Sequence, residues 1–220
     1  MQRWAGNGIG TWVVILCLMA EAALAGAWPR GEGNHFIASA LRFSRSESGD
    51  TDTSLSYFHE YGLTDKLTVG LDLNGTPEGA NKALAFATYP MPDRFGLKTA
   101  VGLALGTLNS QPAVRQVLAL GRGLADPSGW LAVDGILDVY TQTGAYDWKA
   151  EATLGLNRSE GLKIYGQIET GQSYGQLPYA RLGGSAAIRL TEGLDLDIGA
   201  STSLHNSDPV RLKLGVWRSF

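Results

Sequence analysis

The sequence predicts an all-β protein, a single up-and-down antiparallel transmembrane β-barrel of about 12 strands, within a range of about 10–14. Two observations favour this fold. Apolar and polar side chains alternate along one segment after another, as they do in strands with two different faces. Tight-turn residues return about every 30 residues, the length of one hairpin of membrane-spanning strands.

The composition fits a chain with two different strand faces. Of the 220 residues, 44% are hydrophobic and 18% are charged, and the mean hydropathy is -0.05. This is too apolar for a disordered chain and too polar for a bundle of membrane helices. The net charge is -3, which does not favour a nucleic-acid partner.

The first 25 residues are predicted to be a signal peptide. Arg3 precedes a short apolar run over 12–20, and the small-x-small pattern 23–25 ends at Ala25. We expect cleavage after Ala25, with Ala27 as the alternative end, and a barrel domain over 26–220. Cys17 lies in the middle of the apolar run behind the bulky Leu16, so it is interpreted as an ordinary apolar residue. The mature chain then has no thiol, disulfide or cysteine metal site.

The alternation is clearest from residue 67 onward. Leu67, Val69, Leu71 and Leu73 share one predicted face, and polar or small residues share the other. The same pattern ends at Val216 in the last strand. Strands are expected near 34–44, 53–61, 67–74, 83–89, 95–106, 114–122, 130–140, 146–156, 162–170, 179–190, 194–204 and 210–220.

Two kinds of connection are predicted to alternate along the chain. Short turns are expected at 62–66, 90–94, 124–129, 157–161 and 191–193. More open polar connections are expected at 45–53, 75–82, 107–113, 142–145, 171–177 and 205–209. Aromatic residues near the predicted strand ends suggest two interfacial belts: Tyr61, Tyr89, Phe95, Trp130, Trp217 and Phe220 beside the short turns, and Tyr140, Tyr146, Trp148 and Tyr179 beside the open loops.

The polar strand faces carry charges of both signs, and these are predicted to face the lumen. Two interpretations remain open: the charges pair across strands and plug the lumen, or they line a narrow pore with a charged constriction. No ring of a single sign is present to decide between them. The predicted lumen-facing charges are Asp72, Lys98, Asp147, Lys149, Glu151, Lys163, Glu169, Arg181, Arg189, Asp195, Asp197, Arg211 and Lys213.

No catalytic or metal constellation is predicted. The loop 205–208 contains His205, Ser207 and Asp208 and could hold a base and a nucleophile, but its composition favours a hydrated loop. His59 and Glu60 are neighbours in a predicted strand and should point to opposite faces. No metal-ligand spacing or phosphate loop occurs, so no cofactor is expected.

The C-terminal strand resembles the β-signal of Gram-negative outer-membrane barrel proteins. Phe220, Val216, Leu214 and Leu212 fit the pattern of a terminal aromatic behind alternating apolar residues, whereas Arg218 departs from it. A second resemblance, to hairpins of uncharacterised or transport-associated outer-membrane barrels, lies in Tyr-Gly-Leu-Thr-Asp over 61–65. The resemblance implies residence in the outer membrane, contact with its lipid and recognition by the barrel-assembly machinery.

Three functions remain open at the level of sequence. The first is a non-enzymatic outer-membrane barrel, either a narrow pore for small solutes or a structural protein. The second is a lipase-like or deacylase-like outer-membrane hydrolase that uses the loop 205–208. The third is a soluble periplasmic β-barrel binder. The first is expected, because strand periodicity, the export signal and Phe220 all agree with it.

Overall fold

The structure is a computed structural model that describes residues 26–46 and 49–220. The predicted signal peptide, including Ala25, lies outside these residues. Within them, twelve strands form one closed antiparallel barrel in which each strand pairs with its neighbours in sequence. The strands are β1 (His35–Arg45), β2 (Thr51–Gly62), β3 (Thr68–Thr76), β4 (Gly79–Arg94), β5 (Leu97–Leu108), β6 (Gln111–Ala125), β7 (Ser128–Tyr140), β8 (Tyr146–Ser159), β9 (Leu162–Gln172), β10 (Tyr179–Thr191), β11 (Leu194–His205) and β12 (Val210–Ser219).

The barrel closes where the first strand meets the last. Strand β1 pairs with β12 from Phe36 opposite Ser219 to Arg45 opposite Val210. Beyond that ladder, the backbone N–H of His35 donates to the carbonyl of Phe220 at 2.7 Å, and the N–H of Phe220 donates to the carbonyl of His35 at 3.2 Å. A closed sheet leaves no unpaired strand edge. The predicted fold class and strand number are therefore confirmed.

The two faces of the sheet differ sharply in size and polarity. On β5, Leu103 and Leu105 are 52% and 58% exposed on the outer face, whereas Ala100 and Ala104 on the inner face are 3% and 2% exposed. Strand β12 repeats the arrangement, with Leu212 exposed outside. The alternation read from the sequence therefore separates an apolar exterior from a polar interior. No helix among the described residues is long and apolar enough to cross a membrane.

The connections lie at two ends of the barrel. The turn end holds both termini of the barrel and the turns 63–67, 95–96, 126–127, 160–161 and 192–193. The loop end holds residues 46 and 49–50 and the connections 77–78, 109–110, 141–145, 173–178 and 206–209. Two connections expected to be open, 75–82 and 107–113, are instead tight two-residue turns. Asn109 and Ser110 both have positive φ, at 48° and 63°. That combination is typical of a type I′ hairpin turn, whose twist matches the flanking strands.

The two aromatic belts are only partly correct. Tyr89 and Tyr146 are exposed on the outer face, at 48% and 57%. Trp130 and Tyr140, by contrast, are buried inside the barrel, and Trp217 packs against Tyr165 in the interior. Proximity to a strand end did not predict which face these residues occupy, because their parity along the strand places them inward.

Residues 26–34 run into the barrel from the turn end before β1 begins. Ala27 is 1% exposed and packs against Ala100 and Ala119 of the inner wall. Trp28 packs against the same cluster and against Trp130. The segment is fixed near β1, where the N–H of Gly33 donates to the carbonyl of Gly62 at 2.9 Å. We refer to residues 26–34 as the N-terminal plug.

Candidate functional site: the barrel interior

Contacts between strands that are not neighbours define the interior. Arg115 on β6 reaches Asp72 on β3 at 2.8 Å, across the two strands between them. Lys213 on β12 reaches Tyr165 on β9 at 2.6 Å. On a closed barrel, such side chains can meet only through the lumen, because their outward directions diverge. The charged groups are therefore organised as clusters that cross the interior.

The first cluster is centred on Arg115 and joins four strands. Its guanidinium donates from Nε and Nη2 to the two carboxylate oxygens of Asp138 at 2.7 and 2.8 Å, and from Nη1 to Asp72 at 2.8 Å. Lys82 on β4 pairs with the second oxygen of Asp72 at 2.7 Å. The bidentate geometry is the arrangement in which Arg binds carboxylates most strongly. This Arg115 cluster ties β3, β4, β6 and β7 together from inside.

The second cluster lies on β8 and β9 around Lys149. Its ammonium donates to Glu151 at 3.1 Å and to Glu169 at 3.2 Å. Gln167 donates from Nε2 to the other oxygen of Glu151 at 2.8 Å, and to Thr153 at 3.2 Å. One cation therefore faces two carboxylates, and the neutral amide of Gln167 adds a hydrogen bond to one of them.

The third cluster fills the wall formed by β9, β11 and β12. Tyr165 donates its hydroxyl to Asp197 at 2.7 Å, and Lys213 pairs with Asp197 at 2.9 Å. The Tyr165 ring stacks on Trp217 with centroids 5.5 Å apart and lies 6.3 Å from Trp130. These large side chains pack together and occupy this half of the lumen.

The remaining predicted charges lie toward the two ends. At the turn end, Asp195 accepts from Lys163 at 3.3 Å and lies 3.8 Å from Arg189. Lys98 pairs with Asp93, and both side chains are largely exposed to solvent. At the loop end, Asp208 lies 3.8 Å from Arg181 and 3.1 Å from Arg211. Asp147 accepts from the hydroxyl of Tyr140 at 2.8 Å and from the N–H of Tyr174 at 2.6 Å.

A cavity of about 180 Å³ lies on the opposite side of the lumen from the Tyr165 cluster, with room for several water molecules. Its lining combines apolar side chains such as Leu84, Phe86 and Val117 with charges from the first two clusters. The charged groups that line it are Glu60, Asp72, Arg115, Asp134, Lys149 and Glu151, together with Gly26 of the N-terminal plug.

Several interior charges are absent from the sequence-based set. Glu60, 2% exposed, forms an ion pair with Arg30 of the plug, whose backbone N–H also donates to Thr68 at 3.1 Å. Arg42 donates to Ser56 at 2.6 Å. These groups sit on β1, β2, β4, β6 and β7 or in the plug: Arg30, Arg42, Glu60, Lys82, Arg115, Asp134 and Asp138. On β7 the signal was present, because Leu131, Val133, Leu137 and Val139 alternate with the two aspartates.

The loop 205–208 does not assemble a nucleophile and base. His205 contacts its neighbour Asn206 at 2.9 Å, whereas Ser207 donates to the carbonyl of Ala180 at 3.5 Å. The Asp208 carboxylate is engaged by Arg211. Glu60 points inward to Arg30 and His59 contacts His35 at 3.0 Å, so these two neighbours lie on opposite faces. Among the described residues, no group of three or more His, Cys, Asp or Glu could hold a metal ion.

Comparison with solved structures shows that this architecture is shared with outer-membrane channels. The COG4313 outer-membrane channel from Pseudomonas putida F1 superposes with a TM-score of 0.68 at 13% identity, covering 91% of this chain and 100% of that one. The KdgM porin superposes with a TM-score of 0.60 at 11% identity, covering 83% of this chain and 99% of that one. The NanC porin gives 0.61 at 10% identity, covering 83% and 98%.

These likenesses establish the fold. The chain has the fold of outer-membrane channels. At identities this low, the superpositions do not carry over any residue role or solute. No family model matches the sequence, and neither does any curated protein. The function must therefore be argued from the chain's own interior.

Proposed function

We propose that the mature protein is a non-enzymatic, narrow channel for small polar solutes in the Gram-negative outer membrane. The observation that carries the proposal is the cavity of about 180 Å³ inside a closed barrel, lined on one side by charged groups. A purely structural barrel gains nothing from an unfilled space, since close packing is the favourable state of a protein interior.

The exterior supports residence in a membrane. Many large aliphatic residues on the outer face of β5, β11 and β12 are 36–58% exposed, for example Leu97, Leu105, Ile198 and Leu212. An exterior of this kind is unfavourable in water and favourable against acyl chains. This argues against the soluble periplasmic binder, which would place a polar face outward and an apolar one inward.

The charges in the cavity lining favour small solutes that are neutral or cationic. Around the cavity, the carboxylates of Glu60, Asp72, Asp134 and Glu151 outnumber the cations of Arg115 and Lys149. One solved structure of the KdgM porin is in complex with disordered oligogalacturonate. An acidic chain of that kind would meet an excess of carboxylates here, so we infer a different solute class, small and neutral or cationic.

Planar-bilayer conductance of the mature protein, purified from outer membranes, tests the proposal. We expect discrete single-channel steps with a reversal potential that favours cations in a salt gradient. A matched pair of variants then locates the pathway. Val117→Trp places a large ring in the cavity, whereas Leu118→Trp places the same ring on the outer face, where Leu118 is 50% exposed.

The expected result is a conductance lowered at least about twofold by Val117→Trp and unchanged by Leu118→Trp, since a ring fills much of a cavity of this size. Both variants are checked for the heat-modifiable gel mobility of a folded barrel. Wild-type protein that inserts as a folded barrel and carries no current would refute the channel. Equal effects of the two tryptophans would show that the current does not pass the cavity.

A further inference from the structure

The N-terminal plug ends beside an acidic side chain of the inner wall. A Cβ built on Gly26 would lie 3.0 Å from Oδ1 of Asp134 and 2.8 Å from Cβ of Ala119. Since a bond of that type is about 1.5 Å long, the Cα of Gly26 lies within about 4.5 Å of the carboxylate. The backbone nitrogen of Gly26 is bonded to this Cα, so it lies within about 6 Å of the carboxylate.

Asp134 differs from the other carboxylates around the cavity. Asp72 binds Arg115 and Lys82, Glu60 binds Arg30, and Glu151 binds Lys149. Among residues 26–46 and 49–220, none forms a hydrogen bond or ion pair with the side chain of Asp134. A carboxylate in a confined lumen beside two other acids is unfavourable when no cation binds it directly.

Signal-peptide cleavage would supply that cation. The sequence predicts cleavage after Ala25, which turns the amide nitrogen of Gly26 into a primary ammonium at neutral pH. Ammonium groups donate up to three hydrogen bonds. The predicted cleavage site and the acid therefore lie side by side: the first residue of the mature chain is the one whose built Cβ would contact Oδ1 of Asp134.

We propose that signal-peptide cleavage creates a lumenal ion pair between the α-ammonium of Gly26 and Asp134. The pair holds the N-terminal plug against the inner wall at the edge of the cavity. It assigns a role to processing: the uncleaved chain carries a neutral amide at this position and cannot form the pair. The inference depends on cleavage after Ala25 and does not require that the barrel conduct.

Chemical labelling of the α-amine tests the pair in protein purified from outer membranes. Intact mass first establishes that the chain starts at Gly26. The rate of modification by 2-pyridinecarboxaldehyde, which reacts with N-terminal amines, is then compared between wild type and Asp134→Asn. We expect labelling to be about tenfold faster in the variant. An α-amine that is not bound to a carboxylate is more often neutral, and the neutral form is the one that reacts with the aldehyde.

Glu151→Gln is the matched control. It removes one negative charge from the same cavity but leaves Asp134 in place, so the labelling rate should change less than about twofold. If both variants accelerate labelling equally, the effect comes from the general field of the lumen and the specific pair is refuted. A mature chain that starts elsewhere than at Gly26 also refutes it.

Carbodiimide cross-linking provides a second test that needs no variant. The reagent activates a carboxylate, the amine attacks it, and an amide forms with the net loss of water to the carbodiimide. A peptide joining Gly26 to Asp134 is expected in wild-type protein, with the Lys149–Glu151 link as an internal positive control. Detection of the Lys149–Glu151 link without the Gly26–Asp134 link would refute the proposed ion pair. Channel activity is measured separately, so a silent barrel with the Gly26 link would refute only the channel.

Discussion

Arg115→Met should lower the free energy of unfolding of the barrel by breaking a buried ion pair in the lumen. Arg115 and Asp138 are 13% and 11% exposed, and their two hydrogen bonds are short and charge-assisted. Replacing the guanidinium leaves Asp138 without a cation, whereas Asp72 keeps Lys82. Breaking a buried pair by removing one partner costs about 3–5 kcal/mol. Because the lumen holds some water, we expect the lower end, about 3 kcal/mol.

A double-mutant cycle separates the pair from the packing of the side chains. Asp138→Asn alone should cost about 2 kcal/mol, since Arg115 retains Asp72. The double variant Arg115→Met/Asp138→Asn leaves no unpaired charge and should cost about 2 kcal/mol. The arithmetic predicts a coupling free energy of about 3 kcal/mol between the two residues.

The assay is reversible urea unfolding of the refolded barrel in lipid vesicles, followed by tryptophan fluorescence. The control variant is Lys98→Met at the turn end, whose pair with Asp93 is largely exposed and should contribute less than about 1 kcal/mol. Additive effects of the two single substitutions would refute the reasoning, because they would mean that Arg115 stabilises the barrel without its bond to Asp138.

Three further predictions test the exterior, the C-terminus and the packed half of the lumen. Leu103→Arg on the outer face should lower the free energy of unfolding in lipid by about 2–4 kcal/mol, whereas Leu63→Arg in a turn should leave it unchanged. Phe220→Ala should reduce the amount of barrel assembled in cells but leave refolding in detergent near wild type, because its ring stacks on His35 at 4.8 Å only at the rim. Lys213→Met should lower the urea midpoint and leave the conductance of folded channels unchanged, since Lys213 lies outside the cavity lining.

The alternation of apolar and polar residues predicted most of the fold, because each strand of a closed barrel in a bilayer presents one face to lipid and the other to the lumen. On β12, Leu212 and Lys213 are neighbours in sequence. Strand geometry alone places Leu212 on the exposed outer face and Lys213 on the inner face. Turn length was less predictable. The segment 107–113 is rich in polar residues, which suggested a loop, but the positive φ of Asn109 and Ser110 allows a two-residue reversal.

The interior clusters could not be predicted in full because they depend on closure. Arg115 and Asp72 are 43 residues apart and meet across the lumen only once β3 and β6 curve around the same axis. The plug was also beyond sequence reasoning, since residues 26–34 are irregular and carry no periodicity. Glu60 was not predicted to face the lumen, because aromatic residues occur on both faces of β2 and make its alternation weak.

Large aromatic side chains fill one side of the lumen, and the cavity lies on the other. Any solute pathway through the barrel would therefore run to one side of the barrel axis. Tyr165 of β9 and Trp217 of β12 pack with Trp130 of β7 on one side, while the cavity lies against β2–β8 and is lined in part by Gly26. A twelve-stranded barrel lies between the packed eight-stranded barrels and the open porins of sixteen or more strands. The aromatic side chains therefore fill part of the lumen of a mid-sized barrel and leave a cavity lined by charges of both signs. Gly26 of the N-terminal plug belongs to this lining, so a solute that entered the cavity would contact the plug.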